Sequence, residues 1–426
     1  MAVYFCLLNF TRLNFQPMRS LIFLFLFSAV ILMSAWYFKP TVSIQVTHID
    51  SLSPVETKQA NSDYKPSFPG QTRIKGVKTT TPYKIEKIAD HIGRPWAITL
   101  LPDSRWIVTD KSGFMTIFSA DGKPLKKVTG FPAVDDGGQG GMLDVAPDPS
   151  FSKNKTIYWS FSEPQADGSN LTAVAKGQLS ADETSIVNPT VIFRATPSLK
   201  SKAHYGSRIL FDKNGNMFVS AGERSIPEGR KQAQLLSAGL GKIFHITKEG
   251  KPVAGNPFLK NKDAMPEIYS YGHRNPQSLA FHPVTGDLWE AEFAPRGGDE
   301  LNLIKPGRNY GWPVITYGLE YSGAKVGDGI QQKASMEQPV YYWDPVISPS
   351  GMVFYAGNAI PEWKNNLFIG GLSSTHICRL VIQNNKVVGE ERIMEDKRER
   401  VRDLAYANNM LYAVTEPGNI YRISKQ

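Results

Sequence analysis

The sequence predicts an all-β fold, a six-bladed β-propeller with four-stranded antiparallel blades. Two observations carry that expectation. The 426 residues include 36 Gly, 29 Pro and 11% aromatics, a mix that favours many short strands and turns over long helices. From Tyr83 onward, one pattern recurs six times: an apolar strand, a polar turn, a second strand, then a third.

The copies open at residues 96, 142, 207, 277, 351 and 401. Turn chemistry separates their strands, as in Pro102-Asp103-Ser104, Lys213-Asn214-Gly215-Asn216 and Asn408-Asn409. A blade exposes an apolar face to each neighbour, so only a closed ring covers every face and leaves short edges. Residues 83–89 fit an outer strand that joins the last blade to the first. A two-sheet sandwich is the competing architecture, and six similar units argue against it.

Ahead of the propeller, expected over residues 82–426, the sequence divides into three. Residues 1–19 read as a short cytoplasmic segment. Residues 20–38 read as a transmembrane anchor or signal segment, since the run from Leu21 to Phe38 is apolar and uncharged and follows Arg12 and Arg19. An uncleaved anchor fits its length, because a cleaved signal needs a shorter core and a better site than Ser34-Ala35. Either reading sends the body to the periplasmic side. Residues 39–81, rich in Pro, Ser, Thr, Asn and Lys, read as a flexible linker.

The net charge of +9 is concentrated in the tail. Residues 1–80 hold eight Lys/Arg against three acids, leaving +4 for the rest. With no basic stripe interleaved with aromatics, nucleic acid is excluded as a partner. The two cysteines, Cys6 and Cys378, flank the apolar segment and predict neither a disulfide nor a thiolate metal site; Cys378 reads as a core residue.

Blade loops converge at one mouth of a propeller, so chemistry is sought there. The informative loops are residues 134–142, 200–208, 271–277, 292–310, 343–351 and 398–403. Gln139 sits among four glycines without the lysine or helix of a phosphate loop. His204 immediately precedes an inner strand. Gly272-His273-Arg274-Asn275-Pro276-Gln277 packs polar groups at another strand start, where they need a polar partner. Asp299 and Glu300 follow two glycines in a loop whose carboxylate and carbonyl oxygens suit a hard cation. Arg400 and Arg402 share a strand face and fit a polycarboxylate, or a solvated edge.

Together these segments resemble the glucose/sorbosone dehydrogenase family, and within it the bacterial aldose sugar dehydrogenases that use pyrroloquinoline quinone (PQQ). The resemblance spans the whole propeller and rests on GGQGGMLDVAPDPSF, HYGSRILFDKNGNMFVSAGER, EIYSYGHRNPQSLAFHPVTGDLW, PRGGDELNLIKPGRNYGWPVITYG, SPSGMVFYAG and RVRDLAY. It implies oxidation of an aldose to its lactone, with PQQ and Ca²⁺ as cofactors and electrons passed to a quinone or other acceptor. His204 matches the general base and Glu223 the acid that orients it. Arg274 matches the residue facing the reacting quinone oxygen. Gln139, Asn275, Trp343, Arg400 and Arg402 match cofactor contacts. Ala294 and Pro295 match carbonyl ligands of a Ca²⁺ beside PQQ; Glu300 and Tyr310 match a second, structural Ca²⁺ site.

Three departures accompany the match. Phe293-Ala294-Pro295 stands where relatives commonly show His-Gly-Pro. Ser373 falls where many place a lysine against PQQ, and Glu223 is longer than the Asp of the soluble glucose dehydrogenases. The lost lysine leaves an alternative open: a propeller without PQQ that binds carbohydrate or a protein partner. A lactonase-type metal centre would need inward carboxylate or Asn ligands from several blades, and no such set is evident.

Overall fold

Short apolar runs interrupted by Gly, Asn, Asp and Pro give short strands throughout. The computed structural model describes residues 52–426, so the segments expected over 1–19 and 20–38, and Cys6, lie outside the described residues. The first strands are β1 (Leu52–Pro54), β2 (Lys75–Gly76) and β3 (Tyr83–Ala89). Blade 1 holds β4 (Pro95–Leu100), β5 (Trp106–Asp110), β6 (Phe114–Phe118) and β7 (Pro124–Val128). Blade 2 holds β8 (Met142–Pro147), β9 (Thr156–Pro164), β10 (Asn170–Leu179) and β11 (Ile186–Arg194). Blade 3 holds β12 (Ile209–Phe211), β13 (Met217–Ala221), β14 (Lys242–Ile246) and β15 (Ile268–Tyr271). Blade 4 holds β16 (Pro276–Phe281), β17 (Leu288–Glu292), β18 (Asp299–Ile304) and β19 (Tyr341–Trp343). Blade 5 holds β20 (Pro349–Phe354), β21 (Leu367–Gly371), β22 (Ile377–Gln383) and β23 (Lys386–Ile393). Blade 6 holds β24 (Val401–Ala407), β25 (Met410–Thr415), β26 (Asn419–Lys425) and, as its outer strand, β3.

The expected closure is therefore present: β3 pairs antiparallel with β26, Ile85 facing Ile423 and Tyr83 facing Lys425. The apolar core is divided among the blade interfaces. Ile107, Met115 and Ile117 of blade 1 meet Leu143, Ile157 and Trp159 of blade 2. Ile98, Trp106 and Val108 meet Tyr412, Val414 and Ile420 across the closing seam. Cys378 is a buried free thiol between blades 4 and 5, as expected of a core residue.

Polar contacts near the axis repeat from blade to blade. Thr109 Oγ1 donates to Leu143 O (2.7 Å), Ser160 Oγ to Ser207 O (2.6 Å) and Ser220 Oγ to Pro276 O (2.7 Å). Ser278 Oγ donates to Ser350 O, and Ser350 Oγ to Val401 O at 2.6 Å. The ring closes when Ile98 N donates to Asp403 Oδ2 at 2.8 Å. Inside it, Arg208 bridges Asp144 (2.9 Å) and Asp403 (3.1 Å), tying blades 2, 3 and 6 together.

One expectation is corrected. Residues 52–81 are not a free linker but a strap fastened to the ring. β1 pairs with β2, and Gly76 of β2 pairs in parallel with Glu390 of β23. Asn61 N and Nδ2 both donate to Asp344 Oδ1 at 2.8 Å, and Thr79 N and Oγ1 donate to Glu391 at 2.7 Å. Val77 packs where a Cβ on Gly389 would stand, 2.5 Å from its Cγ1. The polar composition that reads as solvated instead satisfies buried groups of the blades, which composition alone does not reveal.

Arg208→Met would leave Asp144 and Asp403 buried without their cation, a loss of about 3–5 kcal/mol. Urea denaturation measures it, and Asp144→Asn in the same background should recover part of the loss. A variant within about 1 kcal/mol of wild type would show that the clamp is dispensable.

Candidate active site

Two loops entering blade 3 and blade 4 bring the expected catalytic groups together. His204 precedes β12 in a kinked segment, with φ of 50° at His204, 63° at Gly206 and 90° at Ser207. Gly222 permits the approach of the two loops, since a Cβ there would lie 2.3 Å from His204 O and 2.8 Å from Asn275 Oδ1. His204 Nδ1 lies 2.6 Å from Glu223 Oε1, so the longer acid does reach the imidazole. Glu223 N donates to Arg274 O at 2.9 Å, and Gly206 N donates to Asn275 Oδ1 at 3.0 Å. His204 N donates to Gln139 Oε1 at 2.8 Å. His204, Glu223, Arg274, Asn275 and Gln139 thus form one hydrogen-bonded constellation drawn from blades 2, 3 and 4.

Electrostatics set the state of the imidazole. Burial first, then the Arg274 guanidinium, push the His204 pKa down to about 4 against the opposing pull of Glu223. At neutral pH it is a neutral base, with Nδ1 occupied by Glu223 and Nε2 available. Three buried polar atoms of the constellation have no protein partner: Glu223 Oε2, Arg274 Nε and Asn275 Nδ2. Such orphans in an otherwise well-paired site mark the place of a polar ligand.

A cavity of about 400 Å³ opens beside them, lined in part by Gln139, Phe293, Arg400 and Arg402. Arg274 Nη1 donates to Phe293 O at 3.0 Å, linking the constellation to the cavity wall. Arg400 and Arg402 both bind Glu416, and Arg402 Nη1 donates to Gln277 Oε1 at 3.0 Å. The cavity therefore offers cationic groups to an anionic ligand. Sequence reasoning passed over Arg94, Lys111 and Glu416, which line it too, and over Tyr321, whose exposed hydroxyl accepts from Arg274 Nη2 at 3.4 Å. Lys111 and Arg94 flank a hairpin and an inner strand of blade 1, where no motif drew attention to them.

Trp343 does not join this site. It lies in β19, 4% exposed, within the apolar cluster between blades 4 and 5, and its Nε1 donates to Glu390 at 3.3 Å. The expected role at the mouth is thereby overturned: as a strand residue, its ring faces the neighbouring blade. Ser373 turns its hydroxyl to Ser348 Oγ (2.9 Å) and Val346 O (3.2 Å), while adjacent Leu372 lines the cavity.

The expected metal ligands divide into two groups. Ala294 and Pro295 are buried, and neither carbonyl accepts a protein hydrogen bond among the described residues. Their loop is pinned by Asp299, whose Oδ1 accepts from Ala294 N at 2.8 Å and Oδ2 from Ser348 N at 2.6 Å. Burial above all raises the Asp299 pKa to about 7. Glu300 belongs to a buried oxygen cluster that sequence had not assembled. Glu290 and Glu292 of β17 face Asn302 and Glu300 of β18 in register. Asn302 Nδ2 donates to Glu290 Oε2 (3.1 Å) and Glu300 Oε2 (3.2 Å), leaving Glu290 Oε1 and Asn302 Oδ1 without partners. Burial, then the neighbouring carboxylate of Glu292, holds Glu290 and Glu300 well above the usual carboxylate range. Tyr310 stacks on His273 at 4.7 Å, and His273 Nδ1 meets Glu292 Oε1 at 3.1 Å, so Tyr310 and Glu300 border the same cluster. Hard oxygen donors in excess of their charge partners suit a divalent cation such as Ca²⁺.

Residues 92–422 match the glucose/sorbosone dehydrogenase family. Aldose sugar dehydrogenase YliI of Escherichia coli is 38% identical over 346 residues, spanning 80% of this chain and 92% of that protein. Quinoprotein glucose dehydrogenase B of Acinetobacter calcoaceticus is 24% identical over 419 aligned residues, spanning 79% of this chain and 86% of its own length. The crystal structure of the soluble E. coli aldose sugar dehydrogenase in its apo form superposes with a TM-score of 0.77 at 36% identity, covering 81% of this chain and all of that one. The strap over 52–81 lies before the matched region. The chain belongs to the glucose/sorbosone dehydrogenase family.

Proposed function

We propose that the protein oxidises an aldose to its lactone with PQQ and Ca²⁺ as cofactors and passes the electrons to a quinone or other acceptor. The observation that carries this reading is the neutral His204, oriented by Glu223 beside the partnerless Nε of Arg274. The names of the aldose sugar dehydrogenase and quinoprotein relatives support it.

His204 Nε2 takes the proton of the anomeric hydroxyl as the C1–H bond breaks, and the electron pair of that bond leaves as hydride. PQQ, when bound, supplies the two-electron acceptor for that hydride. Glu223 holds the imidazole by Nδ1 and stabilises the imidazolium that forms. Arg274, whose Nε lacks a protein partner, would offer a preorganised donor to negative charge that develops on the bound cofactor. Asn275 Nδ2 and Gln139 would orient the ligand, while Arg400 and Arg402 would hold its carboxylates. Ala294 and Pro295 would hold a Ca²⁺ by their carbonyls, and Glu300, with Tyr310 alongside, a second, structural ion.

His204→Ala should lower kcat by about 10²–10⁴-fold in a dye-reduction assay with PQQ, Ca²⁺ and aldoses, while PQQ titration by absorbance still shows binding. Binding of sugars without oxidation by wild type would favour a carbohydrate-binding propeller instead.

The rate should be flat near neutrality and fall as pH drops through about 4, where the imidazole takes up its proton and ceases to be a base. Because Glu223 raises the His204 pKa, Glu223→Gln should move that acid limb to still lower pH while depressing the plateau. A limb displaced upward would contradict the assigned pairing.

Ca²⁺ added to chelated protein should raise Tm, and at a hundredfold excess over Kd it contributes about 2.7 kcal/mol. Glu300→Ala should reduce that gain; an unchanged gain would remove Glu300 from the metal site.

The apolar run before the propeller supports a location on the periplasmic side of the inner membrane, held by an uncleaved anchor. Carbonate-washed membranes should retain the full-length chain. Recovery of a shortened soluble form would establish signal cleavage instead.

A further inference from the structure

Among the described residues lining the cavity, Lys111 is the cation without a carboxylate in salt-bridge contact. It follows β5 in the tip of a blade 1 hairpin and is half-buried. Its Nζ donates to Gly138 O at 2.7 Å, which uses one of its three hydrogens. Each of the other cations lining the cavity has a carboxylate: Arg94 pairs with Asp136, and Arg400 and Arg402 share Glu416. Among the described residues, no carboxylate lies within 4.0 Å of Lys111 Nζ. Four cations against two acids leave this cavity with an excess of two positive charges.

That excess has an energetic direction. Burial, then the charges of Arg402 and Arg94, holds the Lys111 ammonium below the usual lysine range. An anion entering the cavity would reverse the repulsive part of this effect and would take up the free hydrogens of Nζ. Lys111 also touches the loop that carries Gln139, whose Oε1 holds the backbone of His204. A group here therefore feels both the ligand's charge and the loop that positions the base.

Resting on the reading above, we propose that Lys111 is a third cationic contact, beside Arg400 and Arg402, for the carboxylates of the bound cofactor. Nothing in its sequence context marks it, because the tip Asp110-Lys111-Ser112-Gly113 reads as an ordinary hairpin turn. The assignment also supplies, from a different blade, a positive charge in a cavity where Ser373 contributes none.

The test is a titration of wild type, Lys111→Met and Lys111→Arg with PQQ in the presence of Ca²⁺, read by quenching of tryptophan emission at several NaCl concentrations. Trp96 lines the cavity and serves as the reporter. Lys111→Met should weaken PQQ by about tenfold or more and flatten the dependence of affinity on salt, while Lys111→Arg stays within about threefold of wild type. Unchanged affinity and salt dependence in Lys111→Met would overturn the assignment while leaving the proposed reaction intact. Equal losses in both variants, accompanied by a lowered Tm, would also overturn it, reducing Lys111 to a prop for the Gly138 loop. Failure of wild type to bind PQQ would remove the proposed function and this contact together.

Discussion

The molecule depends on a closed circuit of buried hydrogen bonds near its axis. Hydroxyls of Thr109, Ser160, Ser220, Ser278 and Ser350, then the carboxylate of Asp403, each reach the inner strand of the next blade. Each such bond is worth about 0.5–1.5 kcal/mol net, but a buried carbonyl left without its donor costs about 1–3 kcal/mol. Apolar packing between blades tolerates small slips, because hydrophobic contact is not directional. Hydroxyl-to-carbonyl bonds are directional, so they fix the angle at which one blade meets the next. Arg208 adds a second constraint across the axis by satisfying Asp144 and Asp403 together.

The chemistry inherits that rigidity. His204, Arg274 and Asn275 stand at the entries to inner strands β12 and β16, within three residues of the latches at Ser207 and Pro276. Their mutual hydrogen bonds join two blades that are already locked, so the imidazole is held without a moving part. Desolvation then does the rest: the same burial that keeps His204 neutral strengthens Arg274 as a donor, since neither is screened by water.

Much of this was legible in the sequence, and the limits have physical causes. The three inner strands of most blades were read correctly because they are buried and apolar. Outer strands were harder. β7 is exposed along Pro124–Lys127 and lacks an apolar face, while Pro189 and Asn188 interrupt the pattern of β11. His204, Glu223, Arg274 and Asn275 were placed through family motifs and do converge. Trp343 was misplaced because a motif match gives a position in the chain and not the direction of a ring. The acidic cluster escaped notice because Glu290 and Glu300 become neighbours only through strand register. Likewise, the strap reads as a linker in sequence because its Asn, Ser and Thr side chains meet buried acids far along the chain.

Phe293 stands between two pockets of different charge. On one side of it lies the larger cavity with Arg94, Lys111, Arg400 and Arg402; on the other lies a small pocket bordered by Arg274, Glu292, Ala294 and Glu300. A ligand carrying carboxylates at one end and an electron-accepting group at the other has a single favourable orientation in such a field. Under the proposed function its anionic end would be drawn toward the cations of blades 1 and 6. The small pocket carries a cation of its own, Arg274, together with the acids Glu292 and Glu300, so its charge is mixed where that of the larger cavity is net positive. Orientation would thus follow the sign of the walls as well as their shape, and Phe293, which lines both pockets, adds no charge to either.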